Sequence, residues 1–265
     1  MHLLVVEGNK RELWSKREAS GGVPYHKRFE VMLKILCPEA KVDVAFPADE
    51  NALLPSLKTI KEYDGVLWTG SSLYVNDPSP SVARQLTFAE DVFKSGVPFY
   101  GSCWGLQIAA VVAGGTVGTC EKGREFGVTS PISLTTDGVN YDGFKGRIGE
   151  FNALCIHLDE VIKLPENATI LASNAHSKVQ ALKINYKNSE FFGVQYHPEF
   201  MISDLTFIAR YMSKILIKEG VFDKEEALEN FVFKLEKPGE LPECVSNYLI
   251  HTQEVKCWLD YCVKR

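Results

Sequence analysis

The chain has no cysteine pair at C-x-x-C spacing, although it carries seven cysteines, at 37, 103, 120, 155, 244, 257 and 262. An odd number without paired spacing argues against the disulfide framework of a small secreted domain and predicts a reducing, cytoplasmic setting. No basic run is present, and the formal net charge of −5 with pI near 5.8 excludes the usual footprint of a nucleic-acid binder. There is no internal repeat, low-complexity tract or long linker. Walker and S-G-G-x-D-S-type nucleotide loops are also missing. Residues 95–119 contain no charged side chain, yet Pro98 and glycines at 96, 101, 105, 114, 115 and 118 interrupt them. Such breakers exclude a continuous lipid-facing helix and predict a strand–turn–helix–turn passage. The apolar run at residues 1–7 is too short for a signal peptide and predicts a first strand.

What is present is an ordinary globular balance, 45% hydrophobic and 24% charged residues, so a sizeable core needs no staples. The 265 residues predict one large domain with an appendage, divided as residues 1–217 and a helical extension at 218–265 that Pro238 and Pro242 interrupt. Brief apolar runs at 3–6, 42–46, 65–68 and 97–100 have the length of buried parallel strands. Between them lie helical patterns. Pro24 opens one that sets Tyr25, Phe29, Met32, Leu33 and Leu36 on one face, and another spans residues 82–93. Alternating strands and helices predict an α/β fold around a mostly parallel sheet. Further strand-like runs at 128–134, 169–172, 179–184 and 190–194 predict an antiparallel extension and the last strands of the sheet. A helix is expected over 205–217, and residues 9–22 are expected to form a loop that could serve as a lid.

Gly101-Ser102-Cys103-Trp104-Gly105 follows the fourth strand and precedes the helical run 106–113. A nucleophile between two glycines at a strand-to-helix turn is held in a strained backbone position, with the helix N-terminus favouring thiolate. The backbone N–H of Trp104 then points where an oxyanion would form. A lone cysteine is most often a small core residue, and the other six are read that way. The elbow setting makes Cys103 the nucleophile candidate.

Near the end of the last strand run stand Tyr196-His197-Pro198-Glu199. Residues two apart in extended chain project to one side, and Pro198 holds His197 extended, so Glu199 can orient an imidazole facing Cys103. The alternative is a solvated surface turn. A zinc site is disfavoured, because H-x-E lacks the spacing of known zinc motifs.

These residues resemble a known family. G-S-C-W-G-L-Q at 101–107 and G-V-Q-Y-H-P-E at 193–199, with G-R-E-F-G at 123–127, I-H-L-D-E-V at 156–161 and K-L-P at 163–165, are similar to class I glutamine amidotransferases. They look most like the glutaminase half of GMP synthase and its stand-alone relatives, over roughly residues 40–215. The resemblance implies a flavodoxin-like three-layer α/β sandwich and a Cys103–His197–Glu199 triad. It implies a second oxyanion donor near Gly70 and Ser71, and a substrate pocket shaped by Gln107, with Phe126 and His157 as further binding candidates. His157 reads equally as a satisfied structural histidine, and His176 is a weaker candidate for the same cleft. Where the family shows a Gly-Gly pair after the third strand, this chain has Gly70-Ser71, which predicts a stiffer loop.

The implied chemistry is cysteine-dependent hydrolysis of the γ-amide of glutamine or a related γ-glutamyl compound through a thioester, with no metal or organic cofactor. The expected partner is a small γ-glutamyl substrate, with no nucleic acid and no membrane. Without a fused acceptor domain, the chain reads as a stand-alone enzyme; the alternatives are an ammonia-supplying subunit of a separate synthetase and a catalytically silent binding protein. An α/β-hydrolase with a cysteine nucleophile is disfavoured, because its acid normally precedes its histidine.

Overall fold

The computed structural model describes residues 1–237 and 239–263. Pro238, half of the predicted break in the tail, and the Cys262 side chain lie outside the described residues. The strands are β1 (His2–Val6), β2 (Lys41–Ala45), β3 (Gly65–Trp68), β4 (Phe99–Ser102), β5 (Thr116–Thr119), β6 (Glu125–Val128), β7 (Ser133–Leu134), β8 (Leu154–His157), β9 (Asp159–Lys163), β10 (Ala168–Ser173), β11 (Ala181–Tyr186) and β12 (Ser189–Val194). The helices are α1 (Arg11–Ala19), α2 (Tyr25–Leu36), α3 (Leu57–Ile60), α4 (Pro80–Ser95), α5 (Trp104–Val112), α6 (Thr136–Val139), α7 (Ile202–Tyr211), α8 (Ser213–Lys218), α9 (Glu225–Leu235), α10 (Glu243–Ser246), α11 (Tyr248–His251) and α12 (Gln253–Val263).

Eight strands form the central sheet in the order β2-β1-β3-β4-β12-β11-β10-β7. The pairs from β2 through β12 are parallel, and those from β12 to β7 are antiparallel. Two small two-stranded ribbons, β5-β9 and β6-β8, lie outside it. The run Leu3-Leu4-Val5-Val6 is apolar throughout because β1 is covered on both faces. Leu4 and Val6 join a cluster with Phe88, Val92 and Phe93 of α4, whereas Leu3 and Val5 join one with Phe29, Met32 and Leu33 of α2. Period-two alternation between two helical layers is the expected three-layer α/β sandwich.

Four expectations change. Residues 9–22 contain α1, a polar helix (RELWSKREA) that lacks a wide apolar stripe but is rich in good helix formers. The predicted strand at 128–134 splits into β6 and β7, which Pro131 separates by removing a ladder donor. The predicted helix at 205–217 divides into α7 and α8 at Met212. Finally, β5, β8 and β9 are not anticipated; each is four or five residues long and pairs only in a two-stranded ribbon.

Residues 218–263 share the core of the first 217. Val255, Trp258 and Leu259 of α12 pack in the cluster that holds Tyr100 and Phe192, and Leu228 and Val232 of α9 pack with Ala209 and Leu216. The Trp258 and Tyr100 ring centroids are 5.6 Å apart. Trp258→Ala is therefore expected to lower stability by about 3–5 kcal/mol, read from the urea midpoint; a change within experimental error would mean that α12 is peripheral.

Candidate active site

Between β4 and α5, Cys103 adopts φ 49° and ψ −98°. Only Cys103 and Lys187 among the described non-glycine residues have positive φ, a conformation costing on the order of 1–3 kcal/mol. Neighbouring chain enforces it. The Cys103 N–H donates to Val194 O at 2.7 Å. A Cβ on Gly101 would sit 2.7 Å from the Gly105 carbonyl carbon, and one on Gly105 would sit 2.7 Å from Trp68 O. Both flanking positions thus require glycine, and the cysteine side chain is presented to a cavity of ≈ 260 Å³.

Sheet pairing supplies the second part. Gly193 lies opposite Gly101 and Val194 opposite Ser102, so the chain leaving β12 runs beside the elbow. There His197 Nδ1 meets Glu199 Oε1 at 2.7 Å, both side chains almost fully buried. The His197 ring stacks on Phe200 with centroids 4.0 Å apart, and its edge lies against Gly70, where a Cβ would be 2.7 Å from Cε1. Nε2 is buried without a hydrogen-bond partner. Since Glu199 occupies Nδ1, Nε2 is the nitrogen left for a reacting group. Burial pulls the His197 pKa down, but Glu199 and the Cys103 sulfur outweigh it and push it up to about 10. Ser102 Oγ donates to Glu199 at 3.2 Å, and His251 of α11 lies 3.0 Å from His197 O. That tail contact with the histidine loop has no sequence signal.

The Trp104 N–H is in the first turn of α5, where helix geometry leaves it without an intrahelical acceptor. Its indole donates to Gln85 at 2.9 Å. Across from it, the Gly70-Ser71 turn is tied down by side chains. Ser71 Oγ donates to Gly8 O at 2.9 Å, and Asn9 Oδ1 accepts from Ser72 N at 2.9 Å. Asn9 N in turn donates to Glu7, whose other oxygen lies 2.8 Å from His26 Nδ1. Glu7 is fully buried. Sequence patterning hides this network, because Glu7 directly follows an apolar strand and His26 stands in an amphipathic helix, like any other polar residues.

Gln107 and His157 line the cavity. Gln107 Nε2 donates to Asp159 O at 2.8 Å, and His157 Nδ1 lies 3.2 Å from the same oxygen. His157 Nε2 meets Glu125 at 2.9 Å. Burial raises the Glu125 pKa, but hydrogen bonds from His157, Asn174 and Gln180 outweigh it and leave it below the usual carboxylate range. The structure does not bring Phe126 to the cavity. Alternation along β6 turns it away from the side of Glu125, and its ring packs on Phe222 and Phe231, with centroids 6.0 and 5.7 Å distant. His176 borders His157, with ring centroids 6.0 Å apart, but is not part of the cavity wall. The unexpected helix α1 is a wall, through Leu13, Trp14 and Arg17. Among the described residues, no cluster of three or more His, Cys, Asp or Glu side chains could hold a metal ion, and no helix is long and apolar enough to cross a membrane.

Fold and site together describe a class I glutamine amidotransferase module. Residues 39–210 match the family described as glutamine amidotransferase class-I, and the chain belongs to it. Over 99% of this chain and 93% of its own length, it is 29% identical to a gamma-glutamyl-L-1-hydroxyisopropylamide hydrolase from a Pseudomonas species. A glutamine-hydrolyzing GMP synthase subunit of Methanocaldococcus jannaschii is 33% identical over 67% of this chain and 84% of its own. A glutamine amidotransferase structure from Thermotoga maritima shares the fold with TM-score 0.73 and 17% identity, covering 100% of this chain and 99% of that one.

Glu199→Gln removes the charge that holds the His197 imidazolium. Its pKa should fall by about 1–3 pH units, so that the charged form is lost at lower pH than in the wild type. Histidine NMR titration reads this; an unmoved transition would mean that Glu199 does not act on the ring.

Proposed function

We propose that this protein hydrolyses the γ-amide bond of a γ-glutamyl compound by itself, through a thioester on Cys103. The observation that carries this reading is the strained Cys103 elbow sharing one cavity with the buried His197–Glu199 pair. Family membership supports an amidohydrolase of the glutamine amidotransferase type. The near full-length likeness to a γ-glutamyl amide hydrolase supports action without a partner. The six unpaired cysteines among the described side chains fit a cytoplasmic setting.

In this mechanism the His197 imidazolium carries its Nε2 proton beside the Cys103 thiolate, which attacks the γ-carbonyl carbon. The N–H groups of Trp104 and of the Gly70-Ser71 turn hold the oxyanion, each donor contributing roughly 3 kcal/mol. Imidazolium then protonates the departing nitrogen, the C–N bond breaks and a γ-glutamyl thioester remains. Water, deprotonated by His197, attacks the thioester; glutamate leaves and the Cys103 thiolate is restored beside the His197 imidazolium. Gln107 and His157 would frame the γ-glutamyl part. Because Gln107 Nε2 is bonded to Asp159 O, its amide oxygen is the end available to substrate.

A second reading is a glutaminase that docks on a separate synthetase, as the likeness to the GMP synthase subunit suggests. It is favoured by Tyr74, Tyr211 and Ile215, which line the cavity while 44–52% exposed.

The test is ammonia, amine and glutamate release from L-glutamine, glutathione and a simple γ-glutamyl amide. Turnover in the wild type that Cys103→Ala reduces by at least about 10⁴-fold is the expected result. Folded protein that releases nothing alone, but gains turnover with an added synthetase, would overturn the stand-alone reading in favour of the docked glutaminase.

A further inference from the structure

Arg17, on α1, is 9% exposed and lines the cavity, yet its Nη2 is buried with no hydrogen-bond partner. Its other contacts are neutral. Nε donates to Val23 O at 2.9 Å and Nη1 to Tyr25 Oη at 3.3 Å, and the guanidinium lies 4.5 Å from the centre of the Tyr25 ring. Arg28, Arg124 and Arg147 by contrast each meet a carboxylate, from Asp204, Glu219 and Glu254, at 2.6, 2.6 and 2.5 Å. Arg17 touches no carboxylate and senses Asp204, the partner of Arg28, only through space; a buried guanidinium so placed is costly unless an anion joins it.

Its position says which part of a substrate that anion would belong to. Tyr25 stands between Arg17 and His197, its ring centroid 6.0 Å from the imidazole. His197 must reach the departing nitrogen to protonate it, so the leaving group lies on the His197 side, toward Tyr25 and Arg17. Gln107, His157 and Asp159 belong to a different wall, built by α5 and the β8–β9 segment. The end of α1 is also fixed: Gly22 packs so close to Phe207 that a Cβ there would lie 2.3 Å from Cε1, and 2.9 Å from Arg17 Cγ. The helix precedes the family match at 39–210.

We propose that Arg17 binds a free carboxylate on the amine being released, so that the preferred substrates are γ-glutamyl peptides, whose leaving group is an amino acid or peptide. A planar guanidinium fork suits that carboxylate geometrically, and the proposal rests on the hydrolytic reading given above.

The experiment compares kcat/KM for γ-glutamylglycine and γ-glutamylglycinamide, which differ only in the carboxylate. The wild type should favour the acid by about tenfold or more, and in Arg17→Met that ratio should fall to near one. Arg17→Lys, which retains the stem and the charge but not the fork, should give an intermediate ratio and serves if the methionine variant does not fold. A wild-type ratio near one, or equal losses on both substrates in Arg17→Met, would overturn the proposal; equal losses would put Arg17 on the γ-glutamyl half or in the fold alone. Calorimetry with both compounds, on Cys103→Ala with and without Arg17→Met, separates the two readings. Arg17-dependent preference for the acid without wild-type turnover would sink the hydrolase but keep the site. Turnover without that preference would do the reverse.

Discussion

Parallel pairing of β4 with β12, Gly101 against Gly193 and Ser102 against Val194, brings together segments 97 positions apart at Ser102 and Glu199. The elbow and the histidine loop depend on that one register. A slip of a single residue would turn every side chain on β12 to the other face and carry His197 away from Cys103. The bond from Cys103 N to Val194 O, at 2.7 Å, joins the strained residue to the same pair of strands. Backbone strain at Cys103 is thus held by the central, most buried part of the sheet.

Three buried histidine–glutamate pairs surround the cavity: Glu7 with His26, Glu125 with His157 and Glu199 with His197. They differ in what the rings have left over. His157 uses both nitrogens on protein groups, Glu125 and Asp159 O, which suits a residue that positions its neighbours. His197 uses only Nδ1, and its buried Nε2 has no partner. Glu7 acts at a distance, through Asn9, on the turn that carries Ser71. Low local dielectric makes such networks rigid when they are complete and reactive where one atom is left open.

Both ends of the chain are built into this arrangement. At one end α1 walls the cavity, and at the other His251 holds the carbonyl of His197 while Trp258 packs under Tyr100 of β4. The helical segment 218–263 therefore supports the central sheet as well as the site. Its apolar side chains sit in the same clusters as α2, α7 and β4, so the interior crosses the boundary that composition placed at residue 217.

Much of this is legible without coordinates. Doubly buried strands appear as continuous apolar runs, α2 as an amphipathic period, and the elbow as a cysteine between two glycines, because these are local consequences of burial and backbone sterics. Cys103, His197 and Glu199 stand out for the same reason, their residue types lying in short segments of defined geometry. Phe126, by contrast, is adjacent to Glu125 in one motif, and only the pleat of β6 decides which of the two faces His157. The helical state of residues 9–22, the Glu7–His26 link and the lone guanidinium of Arg17 are equally invisible in sequence. Each depends on which distant side chains come near. A charge reads as an ordinary surface charge until the fold buries it beside Tyr25 and bonds it to no carboxylate. Composition and period located most of the elements, and local motifs the candidate reacting groups; tertiary packing decided which polar atoms were satisfied and which were left open.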